Sequence, residues 1–305
     1  DNAKKFDYHR IKDGLILMAL GFFKKMVIAD RLAILVNTVF NNPVDYKGFE
    51  IIIATVFFAF QILCDFSGYT DIAIGAAKVL GFDLMKNFDR PYFSKSIPEF
   101  WRRWHISLGA WFRDYVYFPL GGNRVSEWKK YRNILIVFVA SGLWHGASWN
   151  FLIWGFLHGI YYVLDSILTP VAKKSNFTLG PFWKRAFKLS LTFTLVCFAW
   201  IFFRANTLDD AWLMIENIFV FNPDVIIGNG MYDLGLDRRE FKVSLISIGA
   251  LLLFDMLEGK FNFFDLMRGQ HFTLRWTFYI ILVLSILIFG IYGSNEKAPF
   301  IYFQF

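Results

Sequence analysis

Apolar residues dominate this chain in long runs, each broken at a few places by charged or glycine-bearing polar positions. The first run covers residues 14–40, is interrupted by Lys24, Lys25, Asp30 and Arg31, and stops at Asn41-Asn42-Pro43. It predicts a tilted helical span whose charges face protein or an interface. The second starts at Ile51, passes Cys64, and continues through Asp65-Phe66-Ser67-Gly68-Tyr69-Thr70-Asp71 into 72–81. Carboxylates inside such a run are costly. Two readings are open: Thr70 or Asp71 caps a helix that starts at Ile72, or the two aspartates form the polar wall of a tunnel. Further spans are expected at about 189–203, 243–257 and 277–293, with a tail over 295–305 rich in interfacial aromatics.

The central run, 134–168, carries a polar interruption, Ser141-Gly142-Leu143-Trp144-His145-Gly146-Ala147-Ser148-Trp149-Asn150. A full helical crossing takes about 20 residues, so this run is tight for two passes. It predicts two short tilted helices or a re-entrant pair, with the interruption far from both ends. A buried histidine here needs a partner or a job. His145 is either a satisfied packing residue or a catalytic base. His158 lies thirteen residues further on, about 20 Å away on a straight helix and on a different face. It is a poor partner for His145 unless the helix breaks near Gly146.

Charge is concentrated between these runs. Residues 86–132 hold ten Lys or Arg against four Asp or Glu, a net +6 out of +7 for the whole chain. The positive-inside rule places this loop in the cytoplasm. Residues 206–240, with seven acids and two arginines, are expected on the other side. Within the basic loop, Ser96-Ile97-Pro98-Glu99 reads as a capping box with an early proline. The helix after it puts Phe100, Trp101, Trp104, Leu108, Trp111, Phe112 and Tyr115 on one apolar stripe, as a helix lying in the membrane interface would. His105 falls on that stripe, a second buried histidine with a structural and a catalytic reading. Gly121-Gly122-Asn123-Arg124 then makes a turn.

Composition agrees with membrane residence. Hydrophobic residues make up 56% and charged ones 19%, with 38 Phe and 11 Trp in 305 residues. A soluble domain carries about 25% charged residues and could not cover this much apolar surface. The fold class expected is therefore all-α: a polytopic integral membrane protein with short, tilted or re-entrant helices and an interfacial amphipathic helix, as one domain over 1–305. The chain starts at Asp1 without a signal peptide, which suggests a preceding portion. Cys64 and Cys197 lie in apolar runs and read as small buried hydrophobes. No nucleic-acid motif, P-loop, Gly-x-Ser-x-Gly elbow or metal-spaced Cys/His cluster is present in the sequence. Lacking a covalent nucleophile, the sequence favours direct general-base chemistry by a neutral imidazole.

Trp101-Arg102-Arg103-Trp104-His105-Ile106-Ser107-Leu108, Arg113-Asp114-Tyr115, Leu120-Gly121-Gly122-Asn123-Arg124 and Gly142-Leu143-Trp144-His145-Gly146 resemble the membrane-bound O-acyltransferase family. The stretch from Asp65 to Asp71 and the closing Phe300-Ile301-Tyr302-Phe303-Gln304-Phe305 fit it too. The piece after Tyr117-Phe118-Pro119 looks like the branch that acetylates alginate and other cell-surface polysaccharides. By this resemblance His145 matches the family's essential histidine and His105 its second histidine. The resemblance further implies an acyl thioester donor at the cytoplasmic face, acetyl-CoA above all, with no bound cofactor or metal. It implies a polysaccharide acceptor and a partner protein on the outer face, and residence in the inner (plasma) membrane.

Arg102, Arg103 and Arg113 are candidates for donor contacts, or else anchor an interfacial helix. Trp144, Trp149 and Asn150 are expected to shape the pocket, with Asn150 either an oxyanion donor or a packing residue. Competing readings are D-alanyl transfer to teichoic acid, a transporter or flippase without acyl chemistry, and a non-catalytic scaffold.

Overall fold

The computed structural model describes residues 6–174 and 180–292. The tail aromatics and the closing motif at 300–305 lie outside them. Regular structure among the described residues is helical: α1 (Tyr8–Phe22), α2 (Asp30–Phe40), α3 (Phe49–Leu80), α4 (Ile97–Arg103), α5 (Ile106–Phe112), α6 (Glu127–His145), α7 (Trp149–Lys174), α8 (Pro181–Arg204), α9 (Leu208–Asn217), the one-turn α10 (Asp224–Ile227), α11 (Arg238–Glu258), α12 (Phe263–Arg268) and α13 (Phe272–Phe289). Among the described residues four stretches are long and apolar enough to cross a membrane: Phe49–Leu80, Trp149–Pro170, Pro181–Arg204 and Phe272–Phe289. The helices gather into two compact units, one from the residues up to Lys86 and from Val220 onward, the other from Asn87–Phe219.

In the first unit the run 14–40 is two helices joined by a π-helical stretch, Phe23–Ala29. α1 packs on α3 through glycines. A Cβ at Gly14 would lie 2.7 Å from the Gly75 carbonyl oxygen, and one at Gly21 2.6 Å from that of Gly68. Small residues let the two backbones touch, the usual way apolar helices associate where burial from water supplies no force. The π-helical stretch carries both lysines of the run, and each reaches a carboxylate of α3. Lys24 Nζ lies 2.7 Å from Asp71, and Lys25 Nζ 2.5 Å from Asp65 and 2.8 Å from Asp30.

These pairs correct both expectations for 65–71. α3 runs unbroken through Thr70 and Asp71, and the Thr70 hydroxyl donates back to the Ser67 carbonyl, so nothing is capped there. The aspartates face lysines rather than a tunnel. Arg31, also buried, is held by Glu240 at 2.5 Å and by the Phe289 and Val27 carbonyls. A buried pair of this kind contributes little net stability, but removing one partner strands the other at roughly 3–5 kcal/mol.

The second unit is built on an antiparallel hairpin. α6 and α7 are joined by only Gly146-Ala147-Ser148, so the run folds back at its polar centre as expected; the helices are longer than expected, because both extend beyond the apolar run, and α7 is itself long enough to cross. The Gly142 and Gly155 positions press directly on the Phe151 and Phe138 carbonyls of the opposite helix, leaving no room for a Cβ. α8 packs on α7 with Trp154 and Trp200 stacked at 5.8 Å and 18°. It starts earlier than its apolar run, so Lys184, Arg185 and Lys188 sit on its first turns. Cys64 in the first unit and Cys197 in the second are buried free thiols, as read from the sequence.

Candidate active site

The site grows from a break in what the sequence predicts as one interfacial helix. Ser96 caps α4, its hydroxyl accepting from the Glu99 amide at 3.2 Å. Glu99 accepts from the Lys95 amide rather than that of Ser96, so the expected box is half formed. α4 ends at Arg103, and His105 takes a left-handed backbone conformation (φ 44°). That geometry is uncommon outside glycine, costs of order 1–3 kcal/mol, and clusters at functional sites. The apolar stripe is therefore two short helices at an angle, with His105 at the corner.

Local hydrogen bonds fix that corner. The His105 Nδ1 accepts from the Leu108 amide at 3.3 Å, making the imidazole the N-cap of α5. Asn87 braces it from behind: its carbonyl accepts from the Ile106 amide (2.9 Å), and its Oδ1 from the Ser107 amide (3.1 Å) and hydroxyl (3.0 Å). With Nδ1 accepting, the neutral ring carries its proton on Nε2. Burial pushes the His105 pKa down to about 4.

His145 ends α6 at the tip of the hairpin, half-buried. Its ring meets Trp154 edge-on at 5.0 Å and Phe203 at 5.2 Å, so α7 and α8 both back it. Trp144 stands between the two histidines, its ring 4.9 Å from that of His145 and 6.3 Å from that of His105. Residues forty apart in sequence thus converge on one indole.

Beside His105 opens a cavity of about 510 Å³ whose walls include Trp101, Arg102, Arg113, Ser141 and Tyr162. His105 lines it; His145 does not. Of the three arginines singled out in the sequence, Arg102 and Arg113 reach the cavity. Arg103 turns instead to Glu99 (2.7 Å), one turn back on α4. Arg113 pairs with Asp114 at 2.8 Å, and that hydrogen bond and charge hold the exposed Asp114 carboxyl below its usual range. The Gly121–Arg124 turn forms as expected, with Gly121 and Gly122 at positive φ and the Tyr117 hydroxyl donating to Asn123.

Neither Asn150 nor Trp149 lines the cavity. The Asn150 amide is buried and donates to the Ala205 carbonyl at 2.8 Å, tying the hairpin tip to the end of α8. That bond fits the packing alternative read from the sequence. Trp149 is 70% exposed and lines no part of the cavity. Two residues that sequence reasoning passed over, Trp154 and Phe203, back His145, and the helix breaks at Gly146, the condition set for His158. Trp154 and His158 stand at i, i+4 on α7, a helical spacing that marks one face.

Apolar helices long enough to span, with two buried or half-buried histidines around an indole and a cavity lined by two arginines, define a membrane protein. Residues 4–216 match the model of the membrane-bound O-acyltransferase family, and the chain belongs to that family. It is 38% identical over 240 residues to the "Peptidoglycan O-acetyltransferase" of Helicobacter pylori, covering 79% of this chain and 44% of that protein. It is 40% identical over 222 residues to the "Probable alginate O-acetylase AlgI" of Pseudomonas aeruginosa, covering 72% and 41%. The "Teichoic acid D-alanyltransferase" of Bacillus subtilis is 30% identical over 209 residues, covering 63% and 51%. The chain spans about half the length of the curated relatives it matches.

Proposed function

We propose that this chain carries the catalytic site of a membrane O-acetyltransferase that moves an acetyl group from a thioester to hydroxyls of a cell-surface polysaccharide. The observation that carries the reading is the convergence of His105 and His145 on Trp144 at the hairpin tip. Family membership and the activities for which the similar proteins are named support it; the relatives named for acetyl transfer match at higher identity than those named for D-alanyl transfer.

In this reading His145 is the general base. The acceptor oxygen attacks the thioester carbonyl carbon as its proton passes to the His145 imidazole; the C–S bond then breaks, and the proton leaves with the sulfur. A positioned base of this kind contributes roughly 10²–10⁴-fold. His105, capping α5 through Nδ1, presents Nε2–H at the cavity wall, where it can donate to the donor's carbonyl oxygen as charge develops. Arg102 and Arg113 give the cavity two cations for an anionic donor such as acetyl-CoA. The acceptor and a partner protein act from the outer face, and the protein resides in the inner (plasma) membrane.

A transporter with the same broken helices would move substrate without cleaving a thioester. In cells making the full-length protein, His145→Ala is expected to abolish polymer acetylation while the protein stays in the membrane. Wild-type acetylation by that variant contradicts the assignment.

A further inference from the structure

His158 is the fully buried histidine of α7, with no exposed surface. Aromatic rings enclose it: it lies flat against Phe100 (6.2 Å, 6°) and meets Trp154 at 5.2 Å, Tyr161 at 6.0 Å and Trp200 at 6.3 Å. A phenylalanine would fill such a space without the cost of desolvating an imidazole. The ring's one hydrogen bond among the described residues explains its presence. The Trp101 indole Nε1–H donates to His158 Nδ1 at 3.3 Å, with the rings perpendicular (88°) and 4.9 Å apart. The other ring nitrogen, Nε2, is buried without a hydrogen-bond partner among those residues.

That single bond therefore aims one side chain, and the side chain it aims is functional in position. Trp101 is half-buried and lines the cavity with Arg102 and His105. It leaves α4 one turn before the His105 corner, and its ring meets Phe138 of α6 (5.1 Å) and Trp154 of α7 (5.8 Å) in edge-to-face contacts. Among these contacts the Nε1–H bond is the directional one, and it turns the nitrogen-bearing edge of the indole toward α7. Trp154, in turn, touches both His158 and His145. The element that backs the proposed base also carries the residue that orients the cavity wall.

We infer that His158 is a positioning residue that locks the Trp101 indole into the wall of the cavity, so that the cavity's fit to the acyl donor depends on the Trp101–His158 hydrogen bond. This rests on the acyltransferase reading. Losing one neutral hydrogen bond of this kind corresponds to about a tenfold change. The effect belongs in the donor KM, because the bond shapes the cavity and touches no reacting atom.

The test uses the full-length protein in membranes with acetyl-CoA as the donor. His158→Phe keeps the ring and removes the acceptor; His158→Gln keeps an acceptor oxygen. The expected result is a donor KM raised about tenfold in His158→Phe with kcat within about threefold. His158→Gln is expected to stay near wild type, and the His158→Phe/Trp101→Phe double variant to be no worse than either single one. A wild-type KM in His158→Phe, a loss confined to yield and kcat, or losses that multiply in the double variant overturn the inference.

Fluorine NMR of protein labelled with 5-fluorotryptophan gives a readout independent of turnover, the Trp101 signal being identified by its loss in Trp101→Phe. It is expected to shift in His158→Phe and to return in His158→Gln; an unmoved signal also overturns the inference. Should the wild type turn over no acetyl-CoA, the acyltransferase reading alone fails, and the fluorine signal decides whether His158 fixes Trp101.

Discussion

His105 shows how a single residue is bound to the chemistry by its backbone. Its left-handed φ, its Nδ1 cap on Leu108 and the Asn87 brace all hold the ring at the cavity edge. Burial has a measurable consequence there. The folded pKa, about 4, lies below the ordinary 6.5, so between those values the unfolded chain binds a proton that the folded one refuses. Stability from this residue is complete above pH 6.5 and is lost as pH falls toward 4, amounting to roughly 2 kcal/mol by pH 5. The thermal-inactivation midpoint in detergent is expected to drop between pH 7 and pH 5, and His105→Gln to flatten that slope. An unchanged slope in the variant would show that His105 is not the group responsible. Sequence singled out His145 and His105 because each is a lone imidazole among tryptophans, and the structure brings both rings against Trp144. Sequence spacing made His158 a partner for His145 only if the helix broke near Gly146; the helix does break there, and His158 turns to Trp101, a contact that spacing along the chain does not reveal.

At the scale of elements, the hairpin of α6 and α7 decides the site. Its tip holds His145, and its two arms approach closely enough that the Gly142 and Gly155 positions meet carbonyls of the facing helix. A side chain at either point must push the arms apart. Gly142→Val is expected to lower the amount of folded protein severalfold and to remove activity from what remains, measured by detergent gel filtration and donor turnover. A variant with wild-type yield and activity would show that the arms are not locked.

The hairpin was legible in the sequence, since an apolar run of that length with a polar centre has to fold back. The break at His105 was not. The residues of 97–115 keep helical apolar periodicity straight through it, and the break comes from hydrogen bonds to Asn87, which lies outside that periodic segment. The pairing of Lys24 and Lys25 with Asp71 and Asp65 was also hidden, because the partners lie about forty residues apart and sequence alone offers no register between two helices.

For the molecule as a whole, membrane residence was the most legible feature, because it follows from composition and run length rather than from any particular contact. Four helices among the described residues meet the requirement for crossing, and the family match covers residues 4–216. The net +6 of residues 86–132 gives a topological prediction. A cysteine replacing the exposed Lys129 is expected to react with an impermeant maleimide only after the cell membrane is opened. Labelling of intact cells would place the loop outside and separate the arginine-lined cavity from any cytoplasmic donor.

The most direct test of the account is transfer of label from radiolabelled acetyl-CoA to cell-surface polymer, in membranes carrying the full-length protein as wild type or His145→Ala. Label that appears with wild type and falls at least about a hundredfold with His145→Ala is the predicted result. Equal label with both proteins would contradict it, leaving His145 a packing residue at the tip of the hairpin.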